Sequence, residues 1–246
     1  MLTKGDDYPL HQTSEVMAVS GGNRNFYDRY FFNGYSPDGS IFFAAALGVY
    51  PQLDIMDAAF CVSIDGQQHN LRASKRMGSE RLDLQVGPIR IEIVEPLQQL
   101  RLTIAGNDSP ITADIIFDAR HAPIEEPRFI RRDGPRLLMD YTRMTQNGDW
   151  SGTITVDGQD IDLAGCRGTR DRSWGIRPVG APESQPPPDG ALPQFWWLWT
   201  PLNFDQYCGF FHSNDDGEGE PWNRRGVIDR ISGGAQEFEA RAMDLS

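Results

Sequence analysis

A short segment beyond the middle of the chain combines the residue types needed for acid–base chemistry. Its eight residues hold one carboxylate, two guanidinium groups and one indole, with glycine at both ends; they are Gly168-Thr169-Arg170-Asp171-Arg172-Ser173-Trp174-Gly175. Because side chains alternate along a β-strand, Asp171 and Ser173 are expected to face one side of a sheet. The two arginines and Trp174 then face the other side.

Three roles are open for this segment. In an apolar cavity, burial favours the protonated form of Asp171, which can then donate a proton near neutral pH. Beside Arg170 or Arg172 the charged carboxylate is favoured, and Asp171 becomes a structural anchor. In a purely structural role, the segment forms an ion pair at a strand end and Trp174 fills the core. The catalytic candidates are therefore Asp171, Arg170 and Arg172.

A second segment is aromatic on both sides of a predicted strand. It places Phe195, Trp197 and Trp199 on one face and Trp196 and Leu198 on the other. Neither face is then ordinary solvated surface. The tryptophans either wall a cavity for a flat apolar ligand, where their rings would also stabilise a carbocation, or are buried where two domains meet.

Three further segments carry candidate side chains. In residues 25–33, Tyr30 shares a strand face with Phe26, Asp28 and Phe32, for which ordinary packing is the default. In residues 139–143, Asp140 and Arg143 could form an ion pair, and Tyr141 could offer a hydroxyl group to a cavity. Residues 125–128 are predicted to form a solvated turn; the alternative is a pair of carboxylates of the glycosidase kind, for which no sugar-binding pattern is visible. Tyr30 and Tyr141 join the candidate ligand-binding residues.

Composition excludes several functions. The net charge of -12, from 35 acidic and 23 basic residues, opposes binding to nucleic acid or to anionic lipid. The four histidines are scattered and the three cysteines form no CxxC pair, so we predict no metal site and no disulfide framework. No motif for phosphate or dinucleotide binding is present, and no cofactor is expected. No signal peptide and no apolar run of roughly 20 residues is visible, and we predict a cytoplasmic protein without an integral membrane segment.

The pattern of turns and alternation predicts an all-β fold. Asn-Gly and Asp-Gly pairs recur as turn signals, at residues 33–34, 38–39, 65–66, 133–134, 147–148, 157–158, 189–190 and 216–217. Period-two alternation marks strands at residues 89–93 and 100–104, and a hairpin at residues 150–163. No amphipathic helix longer than about two turns is visible. Strands at this spacing are typical of antiparallel sandwiches and barrels.

The segment Asp171-Arg172-Ser173-Trp174-Gly175 resembles the D-H-x-W-G element of the AttH-like and carotenoid 1,2-hydratase (hydroxyneurosporene synthase) superfamily. The likeness to a bacterial branch with the RDRSWG motif covers most of residues 26–178. It is carried by residues 26–33, 47–51, 139–143 and 170–178.

This resemblance implies two lipocalin-like (calycin-like) antiparallel β-barrels in tandem, over residues 1–165 and 166–246, that hold a lipophilic ligand in a barrel or between the two. In the hydratases, the aspartate that matches Asp171 looks like the donor that protonates an isolated carbon–carbon double bond before water adds. Related proteins assist cyclisations. Thr169 and Arg172 stand where the hydratases carry tyrosine and histidine, and an arginine beside Asp171 favours the wrong state for an acid.

The second barrel is expected to be incomplete. About 80 residues follow residue 166, enough for about five strands, whereas a closed barrel of this type needs about eight. Either the chain is truncated or a partner subunit completes the sheet, so a homo-oligomer is a further prediction. The proline-rich residues 181–193 are expected to form a loop or linker.

The functional hypothesis is a binder of lipophilic small molecules of isoprenoid, steroid or fatty acyl type. If it is an enzyme, it is a cofactor-independent hydratase/lyase or isomerase that hydrates, isomerises or cyclises its ligand. Asp171 is then the acid or the orienting anion, and the cavity walls are Trp174, Trp197 and Trp199. The alternatives are a non-enzymatic carrier of the same ligands and a structural or interaction module whose tryptophans pack the two halves together.

Overall fold

The computed structural model describes residues 2–11, 22–180, 195–231 and 238–243. The strands are β1 (Phe26–Tyr35), β2 (Ile41–Tyr50), β3 (Ile55–Ile64), β4 (Gln67–Arg76), β5 (Gln85–Val86), β6 (Ile89–Glu95), β7 (Gln99–Ile104), β8 (Ile111–Ala119), β9 (Ile124–Glu125), β10 (Phe129–Asp133), β11 (Arg136–Val156), β12 (Gln159–Asp162), β13 (Arg167–Ile176), β14 (Phe195–Asn203), β15 (Tyr207–Asp216), β16 (Pro221–Ile231) and β17 (Phe238–Met243). Two single-turn 3-10 helices lie at Lys4–Asp7 and Pro51–Leu53. In the described ranges, no helix is long and apolar enough to cross a membrane.

The larger sheet is antiparallel and nearly closes into a barrel. Its strand order is β4-β3-β2-β1-β13-β11-β8-β7-β6-β5, and β9, β10 and β12 each pair with β11. The terminal strands approach each other, since a Cβ atom built on Gly87, just after β5, would lie 2.9 Å from Cβ of Ala73 in β4. The predicted all-β class is confirmed.

The smaller sheet has the order β14-β15-β16-β17 and packs against the larger one. Strand β14 lies beside β11 and β13, and side chains of β15 and β16 also reach the larger sheet. Strand β13 begins two residues after the predicted division at residue 165, and it lies inside the larger sheet between β1 and β11. The division into two domains stays a prediction. The proline-rich residues 181–193 lie outside the described residues.

The core of the larger sheet is filled by aromatic and branched side chains from its inner face. Phe32, Phe43, Phe117 and Trp150 are buried, and their rings meet edge to face with centroids 5.1 to 6.2 Å apart. The alternating burial along β1, β7 and β8 follows the period-two pattern of the sequence. The predicted strands at residues 89–93 and 100–104 and the hairpin after Trp150 are present.

Two of the predicted turns are wrong. Asn33-Gly34 lies within β1 and Asn147-Gly148 within β11. A Cβ atom on Gly34 would overlap the Phe43 ring, and one on Gly148 would overlap the Phe117 ring. Glycine is needed there because core rings lie against the backbone. The pairs at residues 65–66 and 157–158 do form turns, with positive φ at both residues, and the pair at 189–190 lies outside the described residues.

Candidate functional site

Residues 168–175 lie within strand β13, and both faces of this strand are buried. Its end glycines allow close approach of the neighbouring strands. A Cβ atom on Gly168 would overlap the carbonyl oxygen of Asn33, and one on Gly175, where φ is 137°, would overlap that of Asp140. Because side chains alternate along a strand, those of β13 point to opposite sides of the sheet and enter two different clusters.

The first cluster lies on the barrel-core side and contains both arginines of the segment. Arg170 donates through Nε to Oε1 of Gln146 at 2.7 Å and pairs through Nη1 with the carboxylate of Asp7. Arg172 pairs with Asp28, and its Cζ lies 3.7 Å from the centroid of the Tyr30 ring. All of these groups are buried.

His11 completes this first cluster. Its Nε2 lies 2.7 Å from Oδ2 of Asp28, its Nδ1 lies 3.3 Å from Oδ1 of Asp6, and its ring stacks on Trp174 at 4.0 Å. Burial raises the pKa of Asp28, but Arg172 and His11 outweigh it and bring the pKa down to about 2. The cluster therefore ties the N-terminal residues 6–11 to the barrel by ion pairs. Four predicted site residues lie in it, namely Arg170, Arg172, Trp174 and Tyr30.

The second cluster lies on the opposite face, between the two sheets. Oδ2 of Asp171 lies 2.7 Å from Nε of Arg143, although the N–H bond is not aligned for a hydrogen bond. Nη1 of Arg143 lies 4.0 Å from Oε2 of Glu126. The three side chains are almost fully buried. Asp171 is thus the carboxylate that neutralises a buried cation.

The predicted ion pair between Asp140 and Arg143 is wrong. Residues three apart in a strand face opposite sides of the sheet, so the two side chains cannot meet. Asp140 instead accepts from Nε of Arg128 at 2.5 Å. Arg143 is left to Asp171 on the neighbouring strand.

The predicted solvated turn at residues 125–128 is wrong for Glu126, which is only 3% exposed. Its Oε1 accepts from the Thr145 hydroxyl at 2.6 Å and lies 3.4 Å from Nε1 of Trp199. Burial raises the pKa of Glu126 to about 7, Arg143 opposes this shift, and the negative charge of Asp171 adds to it. No local motif marks this residue, because its burial depends on packing beneath β14 and β15.

His212 supports a protonated Glu126. Its Nε2 lies 2.6 Å from Oδ1 of Asn223, whose amide nitrogen donates to the carbonyl oxygens of Pro127 and Arg128. This orientation of Asn223 assigns the imidazole proton to Nε2. Burial lowers the pKa of His212, so the ring is neutral and Nδ1 carries a lone pair. That lone pair lies 3.6 Å from Oε2 of Glu126.

A pocket of about 210 Å³ opens above this cluster. It is lined by Met139, Tyr141, Arg143, Arg177, Trp197, Asn214 and Trp222. The Arg143 guanidinium lies over the Trp197 ring at 4.8 Å, and that of Arg177 lies over the Tyr27 ring at 4.4 Å. Arg143 is therefore the member of the cluster that reaches the pocket, while Asp171 and Glu126 lie behind it.

The structure brings together about half of the predicted site residues. Asp171, Tyr141, Trp197 and Trp199 all lie between the sheets, where Trp199 contacts Phe31 and Thr145 rather than the pocket wall. Residues that the sequence analysis did not select include Glu126, Arg177, His212, Asn214 and Trp222. Among the described residues, no group of three His, Cys, Asp or Glu side chains is placed to hold a metal ion.

The sequence pattern of the Family of unknown function (DUF8625) matches residues 2–244. A search of curated proteins finds no match.

Two solved structures have a similar fold. An AttH-like protein from Nitrosomonas europaea is 14% identical with a TM-score of 0.58, over 95% of this chain and 74% of that one. Kievitone hydratase from Nectria haematococca is 16% identical with a TM-score of 0.55, over 86% of this chain and 63% of that one. This chain therefore spans less than two thirds of the hydratase. At these identities the likeness shows the fold.

Proposed function

Since this chain belongs to the family of unknown function DUF8625, we propose its role from the site itself: it binds a flat, largely apolar small molecule in the pocket between the two sheets. The observation that carries this proposal is a concave site with aromatic walls and a few convergent polar groups, which is the usual make-up of a ligand pocket. Arg143 connects the site to two buried carboxylates.

The size of the pocket limits what fits inside it. Its volume of about 210 Å³ is below the range of about 300–1,000 Å³ that is usual for drug-sized ligands. A ring-sized group fits, and the rest of an isoprenoid, steroid or acyl chain would extend past Trp197, which is 43% exposed. A carrier and an enzyme both use such a site.

A second candidate function is catalysis at the same place, and Glu126 favours it. Two carboxyl groups in contrasting environments, one ion-paired and one whose pKa is raised to about 7, are typical of acid–base sites. In a hydration, a proton from Glu126 would pass through a bound water to one carbon of a double bond. Water would add to the other carbon and return a proton to the carboxylate. The name of the hydratase neighbour agrees with this reaction.

The binding proposal is tested by isothermal titration with a carotenoid, a steroid, a fatty acyl ester and 2-naphthol. Trp197→Ala removes a pocket wall, and we expect it to weaken the tightest of these ligands about tenfold, since aromatic contacts dominate such sites. Trp196→Ala is the matched control, because this neighbour is 53% exposed and does not line the pocket. No binding by any compound, or equal effects of the two variants, would favour a structural or interaction module.

The catalytic proposal is tested on whichever ligand binds. Glu126→Gln keeps the shape of the side chain and removes its proton, so turnover should be lost while affinity stays within about twofold. Asp171→Asn is expected to lower turnover as well, because it changes the charge around Arg143. Unchanged turnover in Glu126→Gln would rule out Glu126 as the acid and leave a carrier.

A further inference from the structure

The polar atoms around the pocket are strongly biased towards hydrogen-bond donors. Four lining residues carry a buried N–H group that has no hydrogen-bond partner in the described part of the chain: Arg143 at Nη1, Arg177 at Nε, Asn214 at Nδ2 and Trp222 at Nε1. Among the described residues, the lining contains no acidic side chain. Buried donors without acceptors are rare in folded proteins, so the bias needs an explanation.

The charge around the pocket is also unbalanced. Asp171 neutralises Arg143, but in the described ranges no carboxylate lies within ion-pair distance of Arg177. Arg177 is half-buried, and its guanidinium lies against the Tyr27 ring. A partly desolvated cation without a counter-ion is unfavourable, and an anion bound beside it lowers the penalty.

We propose that the pocket takes the oxyanion end of a planar ligand, in the form of a carboxylate or enolate attached to a ring or conjugated chain. Arg177 is its principal cation. Asn214 and Trp222 donate to the same oxygens, and the aromatic walls hold the ring. This inference rests on the proposed binding function and names its ligand class. A plain hydrocarbon would leave all of these donors unpaired.

If the pocket is catalytic, the oxyanion site also narrows the class of substrate. An oxyanion next to Arg143 and Arg177 is the charge that forms on the oxygen when water adds to a double bond conjugated with a carbonyl group. An isolated double bond develops no such charge. The donors around the pocket therefore favour a conjugated acid or ketone as substrate.

The test compares naphthalene-2-carboxylate with its neutral methyl ester by isothermal titration of the full chain at pH 7. We expect the carboxylate to bind at least about tenfold tighter than the ester. Arg177→Gln should weaken the carboxylate at least about tenfold and change the ester by less than about twofold. Arg177→Lys keeps the charge and should restore part of the affinity.

The matched control is Arg131→Gln. Arg131 lies over the ring of the pocket residue Trp222, with Cζ 5.3 Å from its centroid, but does not line the pocket. Like Arg177→Gln, this substitution removes one positive charge, and it should leave the affinities for the carboxylate and the ester unchanged. Thermal melts of all variants confirm folding.

The outcomes separate the two proposals. Equal binding of acid and ester, or no effect of Arg177→Gln, overturns the oxyanion site and leaves the binding pocket standing. Equal losses of carboxylate affinity in Arg131→Gln and Arg177→Gln would show an effect of net charge alone, and this outcome also overturns the oxyanion site. Binding of neither probe overturns the pocket as a ligand site, and the oxyanion site with it.

Discussion

The Arg143 guanidinium and the Asp171 carboxylate meet between the two sheets, with Nε 2.7 Å from Oδ2. They are diagonal neighbours on one face of adjacent strands, because the register of β11 and β13 places Arg143 opposite Ser173 and Thr145 opposite Asp171. The contact joins a pocket-lining cation to the motif of β13. Asp171 consequently acts on the pocket through Arg143.

Asp171→Asn is expected to be costly. It leaves the buried Arg143 charge without its main partner, and breaking a buried pair in this way typically costs about 3–5 kcal/mol. Chemical denaturation at pH 7 measures the loss. Asp140→Asn is the control, because its pair with Arg128 is more exposed, at 29% for the Arg128 side chain and 16% for that of Asp140, and we expect a smaller loss. Equal losses in the two variants would show that burial adds nothing to the Arg143 pair.

The stability of the protein is expected to fall between about pH 4.5 and pH 7 through Glu126. Its pKa is raised from 4.5 to about 7 in the fold, so the folded state holds this proton more tightly than the unfolded state. This contribution is full below pH 4.5 and is lost as the pH rises through 7, by at most about 3 kcal/mol. Glu126→Gln should remove that slope, measured as the free energy of unfolding against pH.

The control for this slope is Glu92→Gln, at an exposed position of β6. Like Glu126→Gln, it replaces one glutamate by glutamine, and it should leave the slope as it is in the parent protein. A Glu126→Gln protein that keeps the full slope would assign the titration to another group.

The lowered pKa of Asp28 predicts the opposite pH dependence of stability in acid, where stability falls as the pH falls. Its pKa is lowered from 3.8 to about 2 by Arg172 and His11 against the effect of burial. Stability from this group is present above about pH 4 and is lost as the pH falls through 2, by about 2 kcal/mol. Asp28→Asn should flatten the acid limb of the stability curve and cost about 3–5 kcal/mol at pH 7, since Arg172 is left unpaired. The exposed Asp118→Asn should do neither.

The side of the sheet that each side chain faces was predictable, because it depends on a single strand. Alternation along residues 168–175 separates Asp171 from the two arginines, and the structure confirms this separation. The same rule places Trp197 and Trp199 towards the larger sheet and leaves Trp196 exposed. A period of two residues is a local property, so the sequence is sufficient to determine it.

Partners from distant parts of the chain were not predictable. Arg170 pairs with Asp7, 163 residues away, and Glu126 becomes buried only because β14 and β15 cover it. Asn-Gly at residues 33–34 has the chemistry of a turn, yet an aromatic ring from β2 requires the glycine. In each case the deciding contact is tertiary and leaves no mark in the neighbouring residues.

Gly175, which ends the motif, allows β11 to lie close to β13. Its φ of 137° is strained for other residues, and a Cβ atom there would overlap the carbonyl oxygen of Asp140 and lie 2.5 Å from Cα of Tyr141. Both are backbone atoms of β11, so Gly175→Ala must push β11 and β13 apart. Gly39→Ala is the control, with φ of 73° and nothing within 4 Å of a new Cβ atom.

Gly39→Ala should cost about 1–2 kcal/mol, from backbone strain alone. Gly175→Ala adds overpacking between two central strands, and we expect a total of about 3–5 kcal/mol by chemical denaturation. Because Tyr141 lines the pocket, this variant should also bind naphthalene-2-carboxylate more weakly, whereas Gly39→Ala should not. Equal stability of the two variants would mean that β11 and β13 separate freely. In that case the close approach at Gly175 would not be what fixes Tyr141 in the pocket wall.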